Sequence, residues 1–541
     1  MATTRIKAFP QVTETRTVST SATAEDGAHL TSAEHDEQLP RWEICRDAML
    51  GTEGLRLNTE KAKTYLPQAP AEDDDEFGLR VARAEMYPAF KETVKGLTGM
   101  VFQDDPVLGK DVPPAIVDLW ENIDGTGTHG AVFLRRVFED AMQPGLAGVL
   151  VDYPDVGTGP GGRRLTLAEE RVRGARPYWV HYTAEQIRNF RTQIVNGRTV
   201  LTLLVLEESS NEPVGDFGSE AVTRYRVFRR DPISSVVSFE RFREADRDGD
   251  PPISEAKGVL QNANAIPFGV VYTGTKRATL YCFPPLIDLA YMNFSHVQVL
   301  SDYRTSLHMA SVPLLVTKGR PRPPSDPNRP DDGEGDELVI SAGRGIDLPG
   351  DQYSDAKYIE HAGSALSASR TELQDIEKRM AAQGLSMLQS DTRAAETAEA
   401  KRIDRKQQNA SLTSAARSMQ DMGEALLAFT AVYMGLETGG SITMLRDFTD
   451  KTLDTERLSA LGEARARGDI SLETYWQLLI AGSALPEDFD PVVERERLDN
   501  ETIRTGVPGL PGGTDDADPD PDAGAGADTE GDGGDRQPAA A

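Results

Sequence analysis

The sequence predicts an α+β fold, mainly helical, and three observations carry that reading. Between Pro284 and Tyr433, two stretches with apolar residues at helical spacing flank a segment packed with proline, glycine and charge, and an alanine-rich helical stretch follows. From Arg176 to Phe268 the pattern changes to short segments rich in β-branched and aromatic residues, separated by turn residues, as in antiparallel sheet. Ahead of that, Arg41 to Met142 carries several helix-period stretches.

Taken in order, helices are expected over Arg41 to Leu57 and Gly78 to Gly99, separated by a loop holding Tyr65-Leu66-Pro67 and the acidic run Glu72 to Glu76. Pro114 to Asn122 forms a third, and Ala131 to Met142 a fourth after the glycine-rich turn Gly125 to Gly130. Leu146 to Tyr153 (LAGVLVDY) reads as a buried strand, followed by strands at Tyr178 to Tyr182, Thr199 to Glu207, Thr223 to Phe228 and Ser234 to Phe239. Leu286 to Ala310 is then a helix of several turns, with Ala290, Phe294, Val297, Leu300, Tyr303 and Leu307 at helical spacing, Pro284 and Pro285 at its start and Pro313 beyond its end. Ser364 caps a second helix reaching Leu388, on which Leu366, Leu373, Ile376, Met380 and Met387 make a narrower stripe. Between the two, the prolines of GRPRPPSDPNRP (Gly319 to Pro330) remove amide donors and the acids from Asp331 to Glu337 repel one another. Only Leu338 to Ile340 and Ala356 to Glu360 look strand-like there. A long helix is expected from Thr397 to Tyr433, and two short ones at Thr455 to Arg467 and Ser471 to Ile480.

At 541 residues, 38% of them hydrophobic, the chain can fill cores and should divide into two or more domains. Its formal charge of −29, from 58 basic and 87 acidic side chains, argues against binding nucleic acid by broad phosphate neutralisation, although not against letting DNA slide past. The acidic stretch from Gly512 onward and the first forty residues lack large apolar clusters and are expected to be disordered. Cys45 and Cys282 are too isolated for a disulfide framework or zinc site, which fits a reducing cytoplasm. No apolar run approaches a membrane span and the N-terminus has no apolar signal core, so no membrane association and a soluble intracellular chain are expected.

Motifs for catalysis are weak. Gly125 to Gly130 fits a dinucleotide pattern on paper but follows a helical segment where that site needs a strand. Gly157, Gly159 and Gly162 do follow a strand, yet Pro160, Arg163 and Arg164 interrupt the direct passage into a helix; a nucleotide-binding enzyme built on Gly157 to Gly162 is the alternative they leave open. Gly269 and Gly274 lack the Lys-Ser/Thr ending of a phosphate loop, and Asp246, Asp248 and Asp250 meet Pro251 where a calcium loop needs glycine. The seven histidines form no metal pair. No cofactor, metal or catalytic residue is expected, and the chain does not read as an enzyme.

Several phrases are more informative: Tyr65-Leu66-Pro67, LRVARAEMYPAFKETVKGLTGMVF (Leu79 to Phe102), NIDGTGTHGAVFLRRVFEDAMQPGLAGVLVDYP (Asn122 to Pro154), RPYWVHYTAEQIRNFR (Arg176 to Arg191), the IPF at Ile266 to Phe268, and PPLIDLAYMNFSHVQVLSDYRTSLHMASVPLLVTKG (Pro284 to Gly319). In this order, over about Arg41 to Glu501, they resemble the portal proteins of tailed bacteriophages. The resemblance implies a homo-oligomer, a dodecameric ring at one capsid vertex of the virion, assembled in the bacterial host cytoplasm, through which double-stranded DNA is packaged and ejected. It implies an N-terminal arm (1–40), a wing (41–281), a first stem helix (282–310), a clip (311–363), a second stem helix (364–388), a tunnel loop (389–396), a long helix with the return to the wing (397–450), crown helices (451–503) and an acidic tail (504–541). Gln389, Ser390, Asp391, Thr392 and Arg393 would then face the DNA channel. The clip cations Lys318, Arg320, Arg322, Arg329 and Arg344 would meet the terminase large subunit, a head-tail connector or adaptor, or DNA; the major capsid and scaffolding proteins would be further partners. An acidic face on the second stem helix would keep DNA contacts weak. Another phage structural adaptor with a similar helical hairpin remains the second alternative.

Overall fold

The computed structural model describes residues 27–70, 72–154, 172–245, 250–260, 263–310, 314–318, 355–359, 364–384, 398–445, 455–481 and 489–505, with a few isolated positions between them. It divides into two compact units, Met1–Phe448 and Thr449–Ala541.

The first unit opens with helices α1 (Ala33–Leu57), α2 (Thr59–Tyr65), α3 (Asp74–Arg83) and α4 (Ala89–Val101). Ser32 caps α1 by accepting from His35 N, and Asp73 caps α3 by accepting from Glu76 N at 2.7 Å. α1 therefore starts inside the segment (1–40) expected to be disordered. Two of its polar residues are not solvated: His35 and Gln38 are buried, and Gln38 donates to Leu280 O at 3.3 Å while accepting from Cys282 N at 2.9 Å. Distant backbone groups satisfy side chains that composition reads as exposed. The single helix expected over Gly78 to Gly99 is two helices, because Pro88 disfavours helical geometry at Tyr87 and Met86 turns inward to the core.

After β1 (Val107–Leu108), α5 (Pro114–Trp120) and α6 (Gly130–Ala141), strand β2 (Leu146–Asp152) runs through the middle of a three-stranded antiparallel sheet, flanked by β3 (Tyr178–Tyr182) and β9 (Phe268–Tyr272). Val149 stands opposite both His181 and Gly269. Every residue of β2 but Asp152 is buried, as the unbroken apolar run predicts. The second sheet is a five-stranded meander of β4 (Ile187–Val195), β5 (Arg198–Val214), β6 (Gly218–Arg230), β7 (Val237–Arg243) and β8 (Ile253–Leu260). β4 was absent from the expected strands. The Asn196-Gly197 turn that joins it to β5, both residues at positive φ, is the sequence signal that marks it. One face of the meander, through Leu204, Leu206 and Phe228, packs with Trp42, Leu150, Tyr182 and Phe268 into a second core.

The short strands β10 (Thr275–Ala278) and β11 (Tyr281–Phe283) lead to helix α7 (Ile287–Ala310), strand β12 (Leu314–Lys318), strand β13 (Asp355–Ile359), helix α8 (Ser364–Gln383) and the long helix α9 (Ala398–Met434). β12 was not expected as a strand; Leu338 to Ile340 lie outside the described residues. α9 crosses the three-stranded sheet, where Trp179 Nε1 donates to Thr430 Oγ1 at 3.0 Å and Tyr272 N donates to Ser418 Oγ at 2.9 Å. Gly269 makes the crossing possible, since a Cβ there would lie 2.9 Å from Met422 Cγ. The return strand β14 (Ile442–Thr443) pairs with β1.

The second unit holds α10 (Thr455–Ala466) and α11 (Leu472–Ala481), both near their expected positions, and a third helix α12 (Pro491–Thr505). Arg495 pairs with Glu473 at 3.3 Å, and Trp476 meets Phe489 edge-on.

Candidate functional site at the helix hairpin

α7 and α8 run antiparallel as the two arms of one hairpin. Gly384 sits against Leu289 and Thr93, with room only for a hydrogen at its Cα. His296 Nε2 lies 3.2 Å from Glu377 Oε1 on the facing helix. Further out, Leu314 pairs with Ile359 and Lys318 with Asp355 in an antiparallel ladder. From Leu289 beside Gly384, through His296 beside Glu377, to Lys318 opposite Asp355, each step forward on one arm is matched by one step back on the other. The helix pair and the β ladder share one register.

The inner end of this hairpin is anchored in the main core. Ala290, Phe294 and Val297 are buried, and the Phe294 ring stacks on Tyr65 at 3.7 Å with 11° between planes. The Tyr65 hydroxyl donates to Asp47 Oδ2 at 2.5 Å, and burial followed by that carboxylate pushes its pKa well up. Asn293, fully buried, accepts from Phe90 N at 2.9 Å and donates to Tyr87 O. It thereby caps α4, whose own Ncap residue is Pro88 and offers no side-chain acceptor. Gln298 Nε2 donates to Tyr65 O at 2.7 Å.

The outer end is different. Beyond Ser301 on α7 and Leu373 on α8, no described side chain of either helix is buried, and Leu307, expected on the apolar stripe, is 44% exposed. A groove of about 700 Å³ lies alongside, between α3 and α7. Its cations are largely matched: Arg80 holds Glu72 through two bonds of 2.6 and 2.8 Å, and Arg304 pairs with Glu85 and donates to Arg83 O at 2.9 Å. Asp302 beside them is exposed, yet partial desolvation by the groove walls raises its carboxyl. On α8 itself Arg379 donates to Glu372 at 2.9 Å and Lys378 to Asp375 at 3.0 Å. The acids Glu372, Asp375 and Glu377 are thus balanced by Arg370, Lys378 and Arg379, so the acidic face expected of this helix does not arise from it.

The residues read from sequence as channel-facing, Gln389, Ser390, Asp391, Thr392 and Arg393, lie outside the described residues, as do Arg320, Arg322, Arg329 and Arg344. Lys318 ends β12. Sequence reasoning passed over Asn293, His296 and Glu377; a polar residue recurring three positions on within the apolar stripe of α7 was the available sign for the first two. The Gly125 to Gly130 turn is folded around Asp124, which accepts from the backbone N–H and hydroxyl of both Thr126 and Thr128, while Asn122 accepts from Gly127 N at 2.7 Å. Those bonds outweigh burial and hold the Asp124 carboxyl well below the usual carboxylate range. The N–H groups of Thr126, Gly127 and Thr128, which such a turn would offer a phosphate, are already taken by Asp124 and Asn122. Gly159 and Gly162 lie outside the described residues, and Gly269 is a sheet residue under α9. Among the described residues no three His, Cys, Asp or Glu side chains are grouped to hold a metal, and no helix is long and apolar enough to cross a membrane.

A family described as a domain of unknown function (DUF4055) matches residues 285–434, which spans the hairpin and α9 to its last residue. No curated protein matches the chain. Among solved structures, a chain of the virion of the native gene transfer agent (GTA) particle is similar at 13% identity and a TM-score of 0.34, covering 78% of this chain and 91% of that one. A chain of the neck of the native GTA particle, computed with C12 symmetry, matches at 13% identity and 0.34 over 73% and 89%. One from the neck of the empty GTA particle, computed with C6 symmetry, matches at 13% identity and 0.33 over 78% and 91%. These are virion and neck structures, and at these scores they assign no role to any residue here.

Proposed function

We propose that this chain is a portal subunit: a structural protein that forms a ring at one vertex of a phage-type capsid, surrounds passing double-stranded DNA and docks the packaging terminase and the head-tail connector. The observation that carries the reading is the single-register hairpin, anchored by Asn293, Phe294 and Gln298 and burying no described side chain beyond Ser301 and Leu373. A lone helix pair with so little buried surface is marginal in water. Neighbouring copies in a ring supply the missing contacts, because each exposed flank then meets the other flank of the next copy. In this arrangement α7 and α8 are the stem, and residues 311–363 form the clip. There Lys318, Arg320, Arg322, Arg329 and Arg344 meet terminase or connector. Gln389 to Arg393 face the channel, and capsid and scaffolding proteins meet the wing. The subunit performs no catalysis itself.

Electron microscopy of the purified protein, with a native mass measurement on the same sample, tests this. Rings with a central channel and a mass near that of a dodecamer are expected. A persistent monomer or dimer under varied salt and concentration refutes the reading, and rings that bind a connector but not terminase favour another phage adaptor.

A further inference from the structure

The meander carries a feature that a subunit alone does not use. β4 pairs with β5 only as far as Leu206, and β7 pairs with β6 only from Arg224 onward. The pairs from Ser209 with Thr223 to Val214 with Gly218 therefore run on as a free two-stranded ribbon. Such a ribbon gains little from its own ladder. At its tip, in the turn Gly215-Asp216-Phe217, the Phe217 side chain is 102% exposed and Val214 54%. Glu212 stands directly opposite Glu220, an unfavourable like-charge pair eased only by the Arg224 and Arg243 contacts of Glu212. Asp216 and Glu220 make no ion pair among the described residues.

The same sheet holds the complement. Its outer face, away from the second core, carries a small apolar cluster of Val205, Tyr225, Val227 and Phe242 with Ala28. Beside it lies a groove of about 1010 Å³ with an apolar floor that includes Leu30, Leu203 and Val236 and a rim that includes Arg191 and Arg230. Arg191 has no ion-pair partner among the described residues, and Arg230 Nη1 is buried without a hydrogen bond while its Nε and Nη2 hold Asn264 O and Ser235 Oγ. Arg229 at the rim is shared with Glu240, and the rim carboxylate Asp231 is taken up by Ser234 and Ile233. An aromatic tip whose carboxylates Asp216 and Glu220 have no ion pair thus matches an apolar groove whose rim guanidinium groups Arg191 and Arg230 have no salt bridge among the described residues. The nine residue-to-residue steps of β6 from Gly218 to Val227 span roughly 30 Å, so a tip cannot fold back into its own groove.

We propose that the β5–β6 ribbon of one copy inserts Phe217 into the groove of the next, with Asp216 and Glu220 against Arg191 and Arg230. The contact is heterologous, and it either closes a ring or continues as a filament. It rests on the ring reading above for closure. The test is a cysteine pair, Phe217→Cys with Val236→Cys, in the full chain, oxidised and run without reductant; the native Cys45 and Cys282 are both buried. A ladder of cross-linked oligomers is expected from the double variant, cross-linked dimers and nothing larger from a mixture of the two single variants, and neither from either single variant alone. Rings seen by microscopy without any ladder overturn the insertion and leave the portal reading standing. Absence of both rings and ladder overturns both. A ladder that appears only after residues 1–26 are deleted overturns it too, since the chain's own N-terminal segment would then fill the groove. As a second readout, Phe217→Ala should weaken subunit association roughly ten- to a hundredfold, with Phe217→Trp restoring it. Unchanged association in Phe217→Ala refutes the inference.

Discussion

Asn293 is the most economical place to test how the hairpin is anchored. Replacing it by alanine leaves the buried Phe90 N–H without a partner and removes one of the two bonds accepted by the Tyr87 carbonyl, which keeps the one from Ala89 N at 2.9 Å. The orphaned Phe90 N–H costs about 1–3 kcal/mol unless the site relaxes, and the lost bond to the Tyr87 carbonyl about 1 kcal/mol more. Loss of a helix cap alone costs about 0.5–2 kcal/mol. A total of roughly 2–4 kcal/mol follows. That corresponds to roughly a thirty- to eight-hundredfold rise in local opening. A chain of this size with two compact units need not unfold in one step, so the readout should be local. Hydrogen exchange of the first turn of α4, Phe90 above all, should accelerate by that factor, whereas α11 in the other unit should be unaffected. Asn293→Asp keeps the acceptor for Phe90 N but buries a carboxylate facing the Tyr87 carbonyl, and should be at least as damaging. Unchanged exchange at Phe90 in both variants would refute the claim that α7 caps α4.

Three further outcomes are expected. Burial pushes the Asp140 carboxyl up, but the His181 ring at 3.2 Å and the Arg46 guanidinium more than offset it and leave its pKa depressed. A depressed carboxylate stabilises above its unfolded pKa of about 4 and loses that contribution as pH falls through the folded value. Asp140→Asn should accordingly be less stable at neutral pH, with a flatter stability profile below about pH 4, read by urea unfolding. Burial raises Cys45 to about 12 and Cys282 to about 11, so neither thiol should react with iodoacetamide at pH 8 until denaturant is added, when both should. Gly269→Ala would drive a methyl group to within 2.9 Å of Met422 and 3.0 Å of Leu426, costing about 1–3 kcal/mol in thermal or chemical denaturation.

Much of the fold was legible because its signals are local. The unbroken run LAGVLVDY could only be a buried strand, and the proline-bounded apolar spacing of Leu286 to Ala310 fixed α7 to within a residue. Where the reading failed, the deciding partner was distant. His35 and Gln38 look like surface residues until β11 and the turn after β3 supply their hydrogen bonds. The split between α3 and α4 was visible in Tyr87-Pro88, but the burial of Met86 and the cap from Asn293 that hold it lie far away in sequence.

By itself, the sequence determined helices α5, α6, α7 and α9 to α11, the buried strand β2, strands β3, β5, β6, β7 and β13 and the isolation of both cysteines, since each follows from spacing and side-chain chemistry along the chain. Tertiary structure alone decided that the helix pair and the β ladder share one register, that Asn293 of α7 caps α4, and that an aromatic tip and a cationic groove stand on opposite ends of one sheet. Those facts depend on residues far apart in the chain, such as His296 with Glu377 or Phe90 with Asn293, and no local pattern encodes a partner at that separation.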